Sequence, residues 1–274
     1  SDALRHAQDR LDEKRLFERL GIPLPAYRAI DTHDDMVAAA DALGLPMVIK
    51  TRRLGYDGKG QHVVRSTSDV GAAWKALGGQ PLIAEQWVPF DYEVSSIGVR
   101  NVDGDVRFYA LSHNIHKDGI LRTSRAPVED PRLAEKASKY VRLLLEHLDY
   151  VGILALELFV KDDQLLANEF APRVHNSGHW TIEGAATSQF ENHLRAIMNL
   201  PLGSTANRGY AGMINLIGEI PATARNLKDV HLHDYGKMPR PGRKLGHITV
   251  LSETADGRDA LVEKIDKTVT WSAR

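Results

Sequence analysis

The chain has 274 residues, 43% of them apolar and 26% charged, long enough to bury roughly three quarters of its unfolded surface in one or two cores. Lys plus Arg comes to 35 and Asp plus Glu to 36, a net charge of -1 that supplies no overall positive field for a nucleic acid or a membrane surface. With no Cys, disulfides, thiolate metal sites and a catalytic thiol are excluded; no apolar stretch approaches the ~18 residues of a membrane span, and the first ten residues are too charged for a signal peptide.

Leu4, Leu11, Phe17 and Leu20 recur at near-helical spacing ahead of Gly21, Pro23 and Pro25, so the chain is expected to open in one helix. A second helix over 34–43 stops at Gly44 and runs into a strand over 46–51, with another strand over 62–65. A helix over 68–77 buries Val70, Ala73, Trp74 and Leu77, and Gly78-Gly79 leads to a strand over 82–88. From Asp91 the texture changes to long alternating strands, 92–101 and 106–113, joined through Asp103-Gly104, a two-residue hairpin signal. A helix over 131–147 precedes strands over 151–160 and 164–170. There follow a helix over 187–200, a buried strand over 209–217, a basic loop, a strand over 247–252 and a final helix from 256 to about 267. Strands and helices mix without regular βαβ alternation, which favours an α+β fold over a doubly wound sheet.

Four segments carry chemistry. Residues 55–61, GYDGKGQ, place three glycines between two strands, with Lys50 at the end of the first and Lys59 in the loop; backbone N–H groups freed by glycine close on phosphate oxygens, though a plain flexible hairpin has the same composition. Glu157 and Glu169 flank a short turn around Asp162-Asp163, and a loop centred on Asp163 sets them directly opposite each other. Like charges facing across a ladder are destabilising, so a cation between them is expected, either a divalent metal or Lys and Arg partners. The segment 170–180, FAPRVHNSGHW, offers Arg173, His175, Asn176 and His179 as an anion-handling loop, or a loop merely packed through Trp180; the Asn-Ser-Gly between the histidines argues against a helical zinc site. Residues 237–247, KMPRPGRKLGH, concentrate cations between prolines as a phosphate clamp or a solvated surface.

Taken together these segments, with QDRL at 8–11, AEQWV at 84–88 followed by Glu93, HNIH at 113–116, DGILRTS at 118–124, NEFAPRVHNSGHW at 168–180 and YGK at 235–237, resemble the N(5)-carboxyaminoimidazole ribonucleotide synthase family of ATP-grasp enzymes across essentially the whole chain. The resemblance implies two α+β lobes clasping ATP: a small lobe with its leading helix over 1–88, a large lobe with the metal site over 89–217, and a small C-terminal domain over 218–274. It assigns the ATP phosphates to Arg10, Lys50 and the loop Gly55, Tyr56, Asp57, Gly58, Lys59, Gly60 and Gln61. The adenine pocket falls to the backbone of Glu85, Gln86, Trp87 and Val88, the ribose to Glu93, and the rest of the nucleotide site to His116 and Asn168. Glu157 and Glu169 would bind Mg2+, and Arg173 and His175 would act where bicarbonate is activated, with Lys50 beside the transferred phosphoryl group. Tyr56, Asp57, Arg173, Lys237, Arg243 and Lys244 would hold the substrate, 5-aminoimidazole ribonucleotide.

The implied reaction is phosphorylation of bicarbonate by ATP to carboxyphosphate, followed by carboxylation of the ribonucleotide, in a cytoplasmic homodimer with no nucleic-acid or membrane partner. Family members begin with a Rossmann-like domain that helps enclose the ribonucleotide, and this sequence starts after it. The resemblance therefore implies a chain that binds MgATP but couples its hydrolysis poorly to carboxylation. Two other readings remain: another ATP-grasp carboxylate-amine ligase, such as a formate-dependent glycinamide ribonucleotide transformylase, and a nucleotide-binding module without full activity. Lys50→Met is expected to weaken ATP binding and leave ligand-free stability near wild type.

Overall fold

The computed structural model describes residues 2–55 and 60–270, so Tyr56, Asp57, Gly58 and Lys59 lie outside the described residues. The chain forms two compact units, one of the described residues up to Asp91 together with 156–170, the other of 92–155 and the described residues from Ala171 on.

The first unit opens with two helices, α1 (Asp2–Ala7) and α2 (Arg10–Arg19), where one was expected. The break is local chemistry. Asp9 leaves helical conformation and its carboxylate accepts from the Leu11 and Asp12 N–H groups, capping α2. There follow β1 (Tyr27–Ile30), α3 (His33–Leu43), β2 (Met47–Thr51), β3 (Gln61–Val64), α4 (Val70–Leu77) and β4 (Leu82–Gln86). The strands pair antiparallel in the order β1-β4-β2-β3. Alternation along β2 buries Met47 and Ile49 against Met36, Ala39 and Ala73 of the helices, each side chain stabilising the unit by about 2 kcal/mol. The edge strand β1 was not expected from sequence: only Ile30 of its four residues is buried, which leaves almost no periodic signal.

The second unit contains β5 (Tyr92–Arg100), β6 (Val106–Phe108), β7 (Ser112–Lys117), β8 (Ile120–Ala126) and α5 (Pro131–His147). The expected strand over 106–113 is two strands, and the turn before it spans Val102, Asp103 and Gly104, closed by the Asn101–Asp105 pair, instead of two residues. Gly98 lets α5 approach β5, because a Cβ there would stand 2.7 Å from Val141 Cγ1. After the hairpin β9 (Gly152–Lys161) and β10 (Gln164–Ala171) come α6 (Thr181–Gly184), α7 (Gln189–Ile197), β11 (Tyr210–Ile217), α8 (Ala222–Arg225), β12 (His231–Asp234), β13 (Lys244–Ser252) and α9 (Ala255–Thr270). Within this unit the strands run antiparallel in the order β5-β7-β8-β11-β13-β12, with β6 also on β5. Trp180, Ile97, Val99 and Met213 share one buried cluster, and Ile214, Ile248, Val262 and Ile265 another where α9 covers the sheet. The basic segment is only partly a loop: Lys244 and His247 lie in β13.

Candidate functional site

In the first unit one face of α2 meets the end of β2 and the strands β4 and β10. Arg10, Glu13 and Lys14 stand three and four residues apart and so share that face. The Arg10 guanidinium donates to the carbonyls of Thr51, at 2.9 Å, and Gly55, at 3.4 Å, pinning the entry to the glycine loop. The loop's exit is closed by a 2.8 Å hydrogen bond from Thr51 N to the Gly60 carbonyl. Gly60 has φ +72, and a Cβ there would fall 2.7 Å from Thr51 Oγ1, so glycine is required. Gln61 begins β3 opposite Lys50. Lys50 Nζ lies 2.8 Å from Glu85 Oε2, and Lys14 Nζ 3.7 Å from the same oxygen. Burial alone would raise the Glu85 pKa, but the two ammonium groups outweigh it and hold the carboxyl at about 2. Glu85 Oε1 is buried without a hydrogen-bond partner among the described residues. At the end of β4 Gln86 is exposed, and beyond it Trp87 is exposed and Val88 half-buried. Arg65 lies over the Trp87 ring, 5.8 Å from its centroid.

The acidic hairpin departs from the expected register. β9 ends at Lys161 and β10 begins at Gln164, so the turn is Asp162 and Asp163, both at positive φ. Counting back from it sets Glu157 level with Asn168, and regular alternation would then send Glu169 to the other face. Along β10, however, Leu165 and Ala167 are buried and the next buried residue is Phe170. Glu169 is exposed where regular alternation from Leu165 and Ala167 would bury it. Glu157 is half-buried, so neither carboxylate is packed into the core. Beside them Glu13 has its pKa raised, by burial first, with Lys14 and Arg10 opposing and the Glu169 carboxylate adding to the shift. Two hard carboxylate donors on one hairpin fit a divalent cation of the Mg2+ type.

In the second unit Glu93 pairs with Asn114, and His116, two residues further along the same face, brings Nδ1 to 3.1 Å from Glu93 Oε1. After β10, Arg173 is exposed and its guanidinium donates to the Val174 carbonyl at 2.9 Å. His175 is buried, and the Gln189 side chain bonds both its backbone N–H, at 3.0 Å, and its carbonyl, at 2.6 Å. Its ring Nδ1 lies 2.8 Å from Ser177 Oγ.

A network that the sequence did not reveal joins this loop to the basic segment. Tyr235 Oη lies 2.9 Å from His179 Nδ1 and 2.7 Å from His247 Nδ1. Lys237 Nζ sits over the Tyr235 ring, 4.9 Å from its centroid. Burial comes first in lowering the pKa of both rings, His179 to about 3 with Lys244 and Lys237 among the contributing neighbours, and His247 to about 2 with the adjacent imidazoles adding to the shift. Arg243 is tied into its own loop, donating to the Met238 carbonyl at 3.3 Å, and Lys244 pairs with Ile217 at the start of β13. Among the described residues no three His, Asp or Glu side chains form a metal cluster.

Residues 15–190 match the ATP-grasp domain family, and residues 211–260 the phosphoribosylaminoimidazole carboxylase C-terminal domain. An N5-carboxyaminoimidazole ribonucleotide synthase of Pseudomonas aeruginosa is 54% identical over 91% of this chain and 70% of its own length. The crystal structure of the synthetase from Thermus thermophilus is 50% identical, with a TM-score of 0.92 over 98% of this chain and 74% of that one. An Aspergillus clavatus synthase, described in complex with ADP and 5-aminoimidazole ribonucleotide, is 31% identical with a TM-score of 0.88 over 97% of this chain and 75% of its own. Identity at this level across both matched domains leaves a single assignment: the chain belongs to the N5-carboxyaminoimidazole ribonucleotide synthase family of ATP-grasp enzymes.

Proposed function

We infer that this chain catalyses the ATP-dependent carboxylation of 5-aminoimidazole ribonucleotide in purine biosynthesis, with bicarbonate as the carboxyl source. The observation that carries this reading is the phosphate-handling geometry of the first unit: Lys50 held 2.8 Å from a buried carboxylate beside a glycine loop that Arg10 pins at its base. Arg10, Lys50, Gly55, Gly60 and Gln61 then hold the ATP phosphates, with Asn168 beside them. The backbone of Glu85, Gln86, Trp87 and Val88 lines the adenine. Glu93, steadied by His116, takes the ribose hydroxyls. Glu157 and Glu169 would hold Mg2+, which when bound supplies neutralising charge to the phosphate oxygens.

Bicarbonate is a poor electrophile and gains reactivity by phosphorylation. One of its oxygens attacks the γ-phosphorus, the bond to the β–γ bridging oxygen breaks, and ADP leaves. Carboxyphosphate then loses phosphate as the exocyclic amine of the ribonucleotide takes the carboxyl carbon and gives up a proton. Arg173 suits planar, bidentate binding of bicarbonate, and His175, its ring oriented by Ser177, accepts the proton. Lys237, Arg243 and Lys244 supply charge for the ribonucleotide phosphate, with Tyr56 and Asp57 of the glycine loop as further substrate contacts. A cytoplasmic homodimer is the setting this reading implies; among the described residues no helix is long and apolar enough to cross a membrane.

The test is ADP release with bicarbonate or formate, with and without the ribonucleotide, in the wild type and in Glu157→Gln/Glu169→Gln. Bicarbonate should stimulate and formate should not. The double variant should lose Mg2+-dependent turnover while keeping its fold, since Gln preserves shape and removes charge. Stimulation by formate would redirect the assignment to a different acyl donor, and turnover within twofold of wild type would remove the two glutamates from the metal site.

A further inference from the structure

The residues on α2 beyond Arg10 have no part in the roles described so far, yet two of them are buried charged side chains: Glu13 is 3% exposed and Lys14 1%. Lys14 Nζ donates to the Asn168 carbonyl, and Glu13 Oε1 accepts the Phe170 N–H at 2.7 Å. These two backbone groups belong to the peptide planes on either side of Glu169. The plane of Asn168 and Glu169 sets φ of Glu169 and the plane of Glu169 and Phe170 sets ψ, so adjacent residues on one turn of α2 fix both torsions. The residue so fixed is exposed, although regular alternation from the buried Leu165 and Ala167 would carry it to the core face. Lys14 is held in turn by Glu85, which also pairs with Lys50, so one chain of contacts runs from the phosphate lysine on β2 to the backbone of Glu169.

We propose that Glu13 and Lys14 are a positioning clamp on the backbone of Glu169, which sets its carboxylate to share a divalent cation with Glu157. The proposal rests on the reading of Glu157 and Glu169 as the metal pair. Neither clamp residue touches the cation or the nucleotide. Their effect is on direction: without both bonds the strand end is free to resume regular alternation, which would turn Glu169 toward the core.

The experiment uses Mn2+ as probe, with free Mn2+ read by electron paramagnetic resonance in the presence of a saturating non-hydrolysable ATP analogue. Glu13→Leu, which cannot accept the Phe170 N–H, and Lys14→Met should each weaken Mn2+ binding about tenfold or more, the usual effect of removing a group that orients a ligand. Glu13→Gln keeps an acceptor oxygen in place and should bind Mn2+ within twofold of wild type. Because Lys14→Met leaves Glu85 short of a counter-charge and endangers folding, Lys14→Met/Glu85→Gln removes that carboxylate charge as well; its metal-free melting temperature should return toward wild type while Mn2+ affinity stays low. A purely structural role would move melting and leave Mn2+ affinity alone. Mn2+ affinity within twofold of wild type in Glu13→Leu and in the Lys14→Met/Glu85→Gln double variant overturns the clamp, provided Glu157→Gln/Glu169→Gln loses Mn2+ binding. If that control also binds Mn2+ normally, the metal pair itself is misread and the clamp falls with it.

Discussion

At the scale of single residues, Glu85 ties α2 and β2 to β4 through its two lysine partners. A carboxylate with 4% exposure stays ionised only because two ammonium groups face it, one of them the lysine singled out for phosphate binding. Lys50 therefore has a structural role beside the ligand-binding one proposed for it, and the sequence-based expectation that its removal would spare stability needs revision. Lys50→Met should lower the unfolding free energy by about 2 kcal/mol, because Glu85 is left with Lys14 alone at 3.7 Å. Lys50→Met/Glu85→Gln should recover most of that loss and still bind ATP weakly. Urea midpoints for the two variants, with calorimetric ATP titrations, check this; an unchanged midpoint in the single variant would show that Lys14 suffices. Lys50 was legible because it precedes a glycine motif. Glu13 and Lys14 carried only one signal, their helical spacing from Arg10, and charged residues on a surface-type helix ordinarily face solvent.

Secondary-structure elements decide which way the functional side chains point. His116 reaches Glu93 from a strand whose pairing with β8 shifts after Ile115, and Glu169 is exposed where regular alternation along β10 would bury it. Neither irregularity leaves a mark in composition, because a strand's periodicity describes the faces of a regular ladder only. The loop after β10 is held from α7 by Gln189. A methyl at Gly178 would stand 2.5 Å from Ile97 Cδ1 and 2.8 Å from Gln189 Oε1. Gly178→Ala should therefore destabilise the protein by about 1–3 kcal/mol and, by displacing Gln189 from His175, depress bicarbonate-stimulated ADP release while ATP affinity persists. Full bicarbonate stimulation in that variant would separate Gln189 from the site.

The histidine network gives a pH dependence with a defined sign. His247 is 1% exposed, stacked 4.4 Å from His233, and its pKa is depressed from 6.5 to about 2. The unfolded chain takes up this proton first, so the stabilisation is complete above 6.5 and is lost as pH falls below it toward the folded value. At pH 5 the loss from this residue is about 2 kcal/mol. Stability measured at pH 7.5 and pH 5 should fall, and in His247→Asn the fall should shrink by about that amount; an unchanged difference would place the proton elsewhere.

For the whole molecule, ligand linkage offers the broadest check. An ATP analogue with Mg2+ at 100 times its dissociation constant should stabilise the fold by about 2.7 kcal/mol, and at the same concentration Lys50→Met should gain far less; a melting temperature indifferent to the analogue would reject the nucleotide assignment. Sequence alone determined the fold class and the sites of most helices and strands, and it offered the glycine loop, the two glutamates and the 168–180 segment as candidates, because helical period, strand alternation and glycine patterns are local properties of the chain. It also carried the family resemblance, which the 54% identical relative bears out. Only the tertiary structure decided that Lys14 and Lys50 share one buried carboxylate, that α2 bonds the backbone on both sides of Glu169, that Glu169 is exposed against the alternation of β10, and that Tyr235 joins His179 to His247. The partners in those contacts are separated by up to 157 positions along the chain. Each contact exists because a buried charge or an unpaired backbone group must find a partner in space, and local sequence pattern does not specify which distant residue supplies it.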